Sequence, residues 1–274
     1  QPVFSVNEDG TPVAAVTVTR IGSTANAASA TINLSNGTAT GGTQPFASGT
    51  DFDNAAQVVN FAVGETSKTV VIPINDDTQI ESTETVNLSL SNPTGGATIG
   101  TQNTATLNIL DNDSSIQFSQ PVFSVNEDGT PVAAVTVTRI GSTANAASAT
   151  INLTDGTATG GSQPFASGTD YNNAAQVVNF AVGETSKTVV IPLNDDTLIE
   201  PTETVNLSLS NPTGGATIGT QNTATLNILD NDSSIQFSQP VFSVNEDGTP
   251  VAAVTVTRIG NTTNPASATL SLID

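Results

Sequence analysis

Carboxylates are the residues of this 274-residue chain whose type and placement could do chemistry. The chain has 25 Asp and Glu against 5 Lys and Arg, and it contains no His, Cys, Met or Trp. Without thiols or imidazoles it lacks the ligands and catalytic groups of zinc, copper, haem and Cys/His sites, which are therefore excluded. The formal net charge of -20 also excludes a nucleic-acid surface, because such a surface needs Lys and Arg to neutralise phosphates. The chemistry that remains is that of hard oxygen ligands.

An internal repeat organises these carboxylates. The segment that begins at Gln1 returns at Gln120 and again at Gln239, which is a period of 119 residues. The first two copies differ at only eight positions, and the third stops after 36 residues, at Asp274. A period of this length matches one autonomous domain, so we expect domains at 1–113 (repeat 1) and 114–232 (repeat 2) and an incomplete repeat 3 at 233–274. Repeat 3 is either truncated or completed by strands from a neighbouring chain, and the sequence leaves both open.

Each copy has the pattern of an all-β domain. Apolar residues alternate with Thr, Ser or Asn, for example around Asn33 and Asn87, and this predicts half-buried antiparallel strands separated by Gly- and Asn-rich turns. About seven such strands per copy predict tandem immunoglobulin-like antiparallel β-sandwiches. With few aromatic residues available, Phe4, Phe46 and Phe61 are expected to be the large members of the first core.

The boundary between repeats 1 and 2 is short. The last strand of repeat 1 is expected to end at Leu110, before Asp111-Asn112-Asp113, and the next strand is expected to begin at Ile116. Ser114-Ser115 alone would then separate the two, so consecutive domains are predicted to lie nearly in contact.

Eight of the eleven acids in repeat 1 fall at strand ends or in turns. They are Glu8, Asp51, Asp76, Asp77, Glu81, Glu84, Asp111 and Asp113, and they recur in repeat 2 as Glu127, Asp170, Asp195, Asp196, Glu200, Glu203, Asp230 and Asp232. Loops alternate between the two ends of an antiparallel sandwich, so these turns are expected to converge at one pole. Two unit charges about 4 Å apart repel by about 4 kcal/mol at an effective dielectric near 20. The acids therefore either splay into water or hold a hard cation, and calcium tolerates irregular loops of oxygen ligands better than magnesium does.

The repeat resembles the Calx-beta domain, a module of sodium–calcium exchanger regulatory loops and of many bacterial surface proteins. The resemblance rests on the turn Val6-Asn7-Glu8-Asp9-Gly10-Thr11, on Gly49-Thr50-Asp51-Phe52, on Asn75-Asp76-Asp77 and on the closing segment Thr104 to Asp113. It implies that the eight acids of each copy ligate clustered calcium ions at one end of the sandwich.

Together these features predict a calcium-binding, calcium-rigidified structural repeat region of an extracellular or cell-surface adhesin, stalk or fibre. Its expected partners are the neighbouring repeats of the same chain and other copies in a fibre. No enzyme is expected, because a carboxylate pair acting on sugars would have only Tyr171, and no Trp, for stacking. No apolar run reaches the roughly eighteen residues of a membrane span. A calcium-sensing regulatory module and a filament subunit completed by strands from a neighbouring chain are the alternatives.

Overall fold

The computed structural model describes residues 2–9, 14–128, 134–244, 246 and 254–273. Within these residues all regular secondary structure is β-strand. Gly10 and Thr11 of the first resemblance motif lie outside the described residues. The strands of repeat 1 are β1 Val3–Asn7, β2 Ala14–Thr19, β3 Ala28–Asn36, β4 Gly41–Gly42, β5 Phe52–Asp53, β6 Gln57–Phe61, β7 Ser67–Ile72, β8 Glu84–Ser91 and β9 Thr104–Leu110.

Repeat 2 and the described part of repeat 3 also consist of strands and loops. Those between residues 114 and 232 are β10 Ser114–Phe118, β11 Val122–Asn126, β12 Ala134–Gly141, β13 Ala147–Asp155, β14 Gly160–Gly161, β15 Tyr171–Asn172, β16 Gln176–Phe180, β17 Ser186–Val190, β18 Glu203–Thr213, β19 Ala216–Ile218 and β20 Thr223–Leu229. In the described part of repeat 3, β21 Ser233–Phe237 pairs antiparallel with β22 Val256–Gly260. The described residues contain no helix long and apolar enough to cross a membrane.

Repeat 1 folds as a β-sandwich, which confirms the predicted fold class. One sheet has the strand order β1-β9-β8-β3-β6, and the other pairs β2 with β7. β1 runs parallel to β9, whereas the other neighbours in the five-stranded sheet are antiparallel. The parallel pair departs from a purely antiparallel order. It brings the ends of β1 and β9, and the acids that follow them, to the same edge of the sheet.

Repeat 2 repeats this plan with a larger second sheet. Its sheets have the orders β11-β20-β18-β13-β16 and β17-β12-β10-β19. The expected spacer Ser114-Ser115 was wrong, because β10 starts at Ser114 and pairs with β12 and β19. Ser114 is fully buried, and its hydroxyl accepts a hydrogen bond from Arg139 Nε at 3.0 Å. This partner is what allows a polar residue to start a buried strand.

The core of each repeat lies between its two sheets. Alternating residues of β8 and β9 point inward, and Leu107 is fully buried. Phe61 is buried as predicted, but Phe46 is only half-buried and lies outside the core cluster. Phe52 of β5 is fully buried in the core cluster instead, whereas Phe46 lies in the loop before β5.

Candidate metal centre

Strand register brings the acids of repeat 1 to one end of the sandwich. β1 and β9 are parallel and Asn7 pairs with Leu110, so Glu8 and the loop after β9 leave the sheet side by side. β8 runs in the opposite direction and starts at Glu84, which pairs with Ile109. We call the end of the sandwich beyond these three strand ends the acidic pole.

Two loops from the other side complete the acidic pole. The loop before β5 reaches it at Asp51, whose N–H donates to the carbonyl of Thr40 at 2.8 Å. The carbonyl of Asp51 accepts the N–H of Asn75 at 2.9 Å, and an isolated bridge joins Phe52 to Ile74. These bonds tie the Asp51 loop to the acidic loop that follows β7.

The first cluster at the pole is the Glu8 trio, which consists of Glu8, Asp77 and Asp113. One carboxylate oxygen from each lies within 4.8 Å of the other two. Glu8 is only 3% exposed and Asp113 only 2%, and the Oδ2 atom of Asp113 is buried without a hydrogen-bond partner. Two full charges at this separation repel by about 3.5 kcal/mol at an effective dielectric of 20. A buried, unpartnered carboxylate oxygen beside two further acids has the chemistry of a cation ligand.

The second cluster is the Asp51 trio, which consists of Asp51, Glu81 and Glu84. Its ligand oxygens also lie within 4.8 Å of one another. Asp51 is 8% exposed, and its Oδ2 accepts the N–H of Thr40 at 2.6 Å, which fixes the carboxylate. The Oε2 atom of Glu84 is buried without a hydrogen-bond partner.

Burial and crowding make ionisation at the pole unfavourable. Burial, and then the charge of Asp77, raises the pKa of Glu8 to about 8. Burial and a hydrogen bond with Asp51 raise the pKa of Glu84 to about 7. Burial and the surrounding acids raise the pKa of Asp113 to about 6. Because metal ions bind deprotonated carboxylates, a metal ion bound at this pole would release protons near neutral pH.

Both lysines and Arg20 are engaged with groups outside the trios. Lys68 forms an ion pair with Glu65 at 2.8 Å, and Lys187 forms one with Glu184 at 2.7 Å. Arg20 Nη1 donates to a backbone carbonyl at 2.7 Å. Among the residues that the structure describes, no ion pair involves a member of either trio.

Repeat 2 builds the same two clusters. Its trios are Glu127, Asp196 and Asp232, and Asp170, Glu200 and Glu203, each with ligand oxygens within 4.8 Å of one another. Burial raises the pKa of both Glu127 and Glu203 to about 7. The Oδ2 atom of Asp232 is buried without a hydrogen-bond partner, as is that of Asp113 in repeat 1.

Four of the sixteen predicted ligands lie outside the trios, namely Asp76, Asp111, Asp195 and Asp230. Asp111 braces the loop, because its Oδ1 accepts the N–H of Asp113 at 2.8 Å and its Oδ2 accepts that of Glu81 at 3.2 Å. Asp230 repeats the first of these bonds in repeat 2. Asp76 is exposed but close enough for its charge to help raise the pKa of Asp113. Asp195 likewise helps raise the pKa of Asp232, which is the counterpart of Asp113 in repeat 2.

Sequence reasoning missed one residue at the pole, Gln79. Its Nε2 donates to Asp77 Oδ2 at 2.9 Å, and its N–H donates to Asp77 Oδ1 at 2.7 Å. A signal was present, since position 79 is one of the eight at which the copies differ and repeat 2 has Leu198 there.

The acidic pole of repeat 1 is also its joint to repeat 2. Only residues 111–113 separate β9 from β10. The carbonyl of Asp113 accepts the N–H of Ser142 from repeat 2 at 2.7 Å. Gly141 has a φ of +92°, and a Cβ there would lie 2.6 Å from that carbonyl oxygen and 2.8 Å from Ile80 Cγ2. The two domains therefore touch through the loops that carry the acids.

The joint between repeats 2 and 3 has the same design. The carbonyl of Asp232 accepts the N–H of Asn261 at 2.7 Å. The Asn261 side chain adds a bond from Nδ2 to the carbonyl of Asp230 at 2.8 Å.

Comparison with known families assigns the chain. The model of the Calx-beta domain matches residues 1–113, 111–232 and 230–273. The chain belongs to the Calx-beta domain family. The predicted resemblance is thereby confirmed for all three tandem segments.

Longer proteins contain regions similar to these Calx-beta repeats. Extracellular matrix protein 3 of Lytechinus variegatus is 29% identical over 235 residues, which cover 78% of this chain and 7% of that protein. Extracellular matrix organizing protein FRAS1 of Homo sapiens is 30% identical over 253 residues, which cover 89% of this chain and 6% of that protein. The chain thus spans less than a tenth of the length of either relative. Among solved structures, calcium binding domain CBD12 of CALX1.1 is 20% identical with a TM-score of 0.40, over 82% of this chain and 96% of that chain.

Proposed function

We propose that this chain is an extracellular repeat region whose Calx-beta domains bind calcium at their acidic poles. The observation that carries the proposal is the Oδ2 atom of Asp113, which is buried, unpartnered and grouped with two other carboxylates. The Oδ1 atom of Asn112 is likewise buried without a partner and offers a neutral oxygen beside it. Carboxylate and amide oxygens are the ligands of hard cations, so the residues present fit the ion that the family implies.

Calcium fits this donor set better than magnesium does. The oxygens come from several irregular loops, and calcium accepts about six to eight oxygens in flexible arrangements, whereas magnesium demands near-octahedral geometry. The two trios would supply the ligands in each repeat. Asp76 and Asp111, with Asp195 and Asp230 in repeat 2, stay proposed ligands because they border the trios.

An extracellular setting agrees with this chemistry. Both relatives above are named as extracellular matrix proteins. Extracellular calcium modules commonly have dissociation constants of about 10⁻⁴ to 10⁻³ M, so ambient calcium outside cells would fill such sites. Binding to the native state alone adds about 1.4 kcal/mol of stability at a concentration ten times the dissociation constant.

The role we propose for the ion is mechanical. Asp113 contributes its side chain to the Glu8 trio and its carbonyl to the bond with Ser142, so ordering this residue fixes the joint. A tandem array of such joints would form a stiff stalk or fibre of an adhesin, with the neighbouring repeats as its partners and without catalytic activity.

Scattering and calorimetry together test this function. Small-angle X-ray scattering of the intact chain is expected to show a longer maximum dimension in millimolar calcium than in EGTA. Calorimetric titration is expected to show calcium binding that Asp113→Asn with Asp232→Asn strongly weakens. Asp53→Asn is the matched control, because Asn172 occupies that position in repeat 2. An absence of calcium binding by the unmodified chain would refute the proposed calcium site. A scattering profile that EGTA does not change would refute the proposed mechanical role of the ion.

A further inference from the structure

The two complete repeats differ in side chains at the acidic pole. Three of the eight differing positions lie between β7 and β8, and two of them lie next to proposed ligands: Gln79 and Ser82 in repeat 1 are Leu198 and Pro201 in repeat 2. We propose that repeat 2 binds calcium more tightly than repeat 1 and that these two positions set the difference. This inference rests on the calcium function proposed above.

Gln79 occupies an oxygen that the ion would need. Its side-chain amide donates to Asp77 Oδ2 at 2.9 Å, so a cation must displace or share that bond. In repeat 2 the backbone bond from Leu198 to Asp196 Oδ1 is kept at 2.7 Å, matching the 2.7 Å bond in repeat 1, but the leucine side chain has no donor. The side chain of residue 198 therefore does not compete with the cation for the second carboxylate oxygen of Asp196. Losing one such hydrogen bond corresponds to about a fivefold change in affinity.

Pro201 restricts the loop before the ion arrives. It fixes its own φ and confines the preceding residue, Glu200, to extended conformations. Glu200 belongs to a trio, so the restriction acts directly on a proposed ligand. The loop is irregular in both repeats and begins after the same isolated bridge, so Pro201 interrupts no strand pairing there. Less conformational freedom is then lost on binding, which strengthens binding by about a further threefold.

The chain carries its own reporter for repeat 2. Tyr171 is the one tyrosine of the sequence, there is no tryptophan, and Tyr171 directly follows the proposed ligand Asp170. Terbium is a hard, oxygen-seeking cation whose luminescence is excited by a nearby tyrosine. Excitation of Tyr171 in the intact chain therefore reports terbium bound to repeat 2. Replacing Phe52 with Tyr and Tyr171 with Phe moves the reporter to the equivalent position of repeat 1.

The test is to displace terbium with calcium in both reporter chains. We expect the calcium dissociation constant of repeat 2 to be about fifteenfold lower than that of repeat 1, the product of the two effects. Gln79→Leu with Ser82→Pro should lower the constant of repeat 1 toward that of repeat 2, and Leu198→Gln with Pro201→Ser should raise the constant of repeat 2. Ser35→Thr, which exchanges another of the eight positions, is the control and should change neither.

Each result decides one of the two proposals. Equal constants in the two reporter chains would overturn the inequality while leaving calcium binding intact. Weaker binding after Gln79→Leu would overturn it too, since the amide oxygen of Gln79 would then act as a ligand. No saturable binding in either chain would refute the calcium function itself. If moving the reporter impairs folding, calorimetric titrations of the unmodified chain and of the Gln79→Leu, Ser82→Pro chain supply the same test, because this exchange should strengthen the weaker calcium binding and an unchanged titration would overturn the inequality.

Discussion

Replacing Glu127 with Gln should change the stability of repeat 2 in opposite directions with and without calcium. Glu127 is 6% exposed, and burial, followed by the charges of acids such as Asp196, raises its pKa from 4.5 to about 7. At pH 8 the folded state must keep this carboxylate ionised, and a shift of that size corresponds to about 3 kcal/mol of lost stability. The amide of Gln removes the charge and still offers an oxygen to the N–H of Asp196, which donates to Glu127 Oε1 at 3.4 Å.

Urea unfolding at pH 8, followed through the fluorescence of buried Tyr171, measures this effect in the intact chain. In EGTA the variant should raise the free energy of unfolding of repeat 2 by about 2 to 3 kcal/mol. In saturating calcium it should lower it, because a ligand has been lost. Glu184→Gln is the matched control, and it should cost at most about 1 kcal/mol in both conditions because it breaks only a half-exposed surface ion pair. A variant that destabilises repeat 2 in EGTA, or that leaves the calcium effect unchanged, would refute the reasoning.

Three further outcomes follow from repeat 1 and its joint. In EGTA the melting temperature should rise as the pH falls from 9 to 5, because Glu8, Glu84 and Asp113 have pKa values of about 8, 7 and 6 in the folded state. These pKa values exceed those of the unfolded chain. The stability gained from protonation is therefore complete below the unfolded pKa and is lost as pH rises through the folded pKa. A melting temperature that falls on acidification, measured by calorimetry, would contradict this. Gly141→Ala should loosen the joint, because the new Cβ would lie 2.6 Å from the carbonyl oxygen of Asp113. Scattering in calcium should then show a broader distance distribution, whereas the melting temperatures of the two domains should hardly change. Leu107→Ala should destabilise repeat 1 by about 2 to 5 kcal/mol and leave the Tyr171-detected unfolding of repeat 2 unchanged.

The fold was predictable because the same strand pattern occurs in both complete repeats. Alternation around Asn33 and Asn87 marks β3 and β8, and the exact period shows where the pattern begins again. The parallel pairing of β1 with β9 was not predictable, because alternation reports which face a residue lies on and carries no information about the direction of its neighbour. The burial of Ser114 was not predictable either, because it depends on a hydrogen bond from Arg139, which lies 25 residues away in the sequence.

The convergence of the acids was predictable, but their division into clusters was not. Acids at strand ends and loops that alternate between the ends of a sandwich predict a common pole, and the parallel pairing of β1 with β9 is what places Glu8 beside Asp113. The bracing role of Asp111 depends on two backbone N–H groups that sequence cannot place. Gln79 could have been found by asking which of the eight exchanged positions adjoin an acidic block.

Anomalous diffraction from crystals grown in calcium tests the central claim most directly. We predict an anomalous peak enclosed by the carboxylates of Glu8, Asp77 and Asp113, and a second at the equivalent trio of repeat 2, with the Asp113 side chain turned inward as it is here. Carboxylates turned toward solvent at saturating calcium, with no anomalous peak among them, would contradict the account.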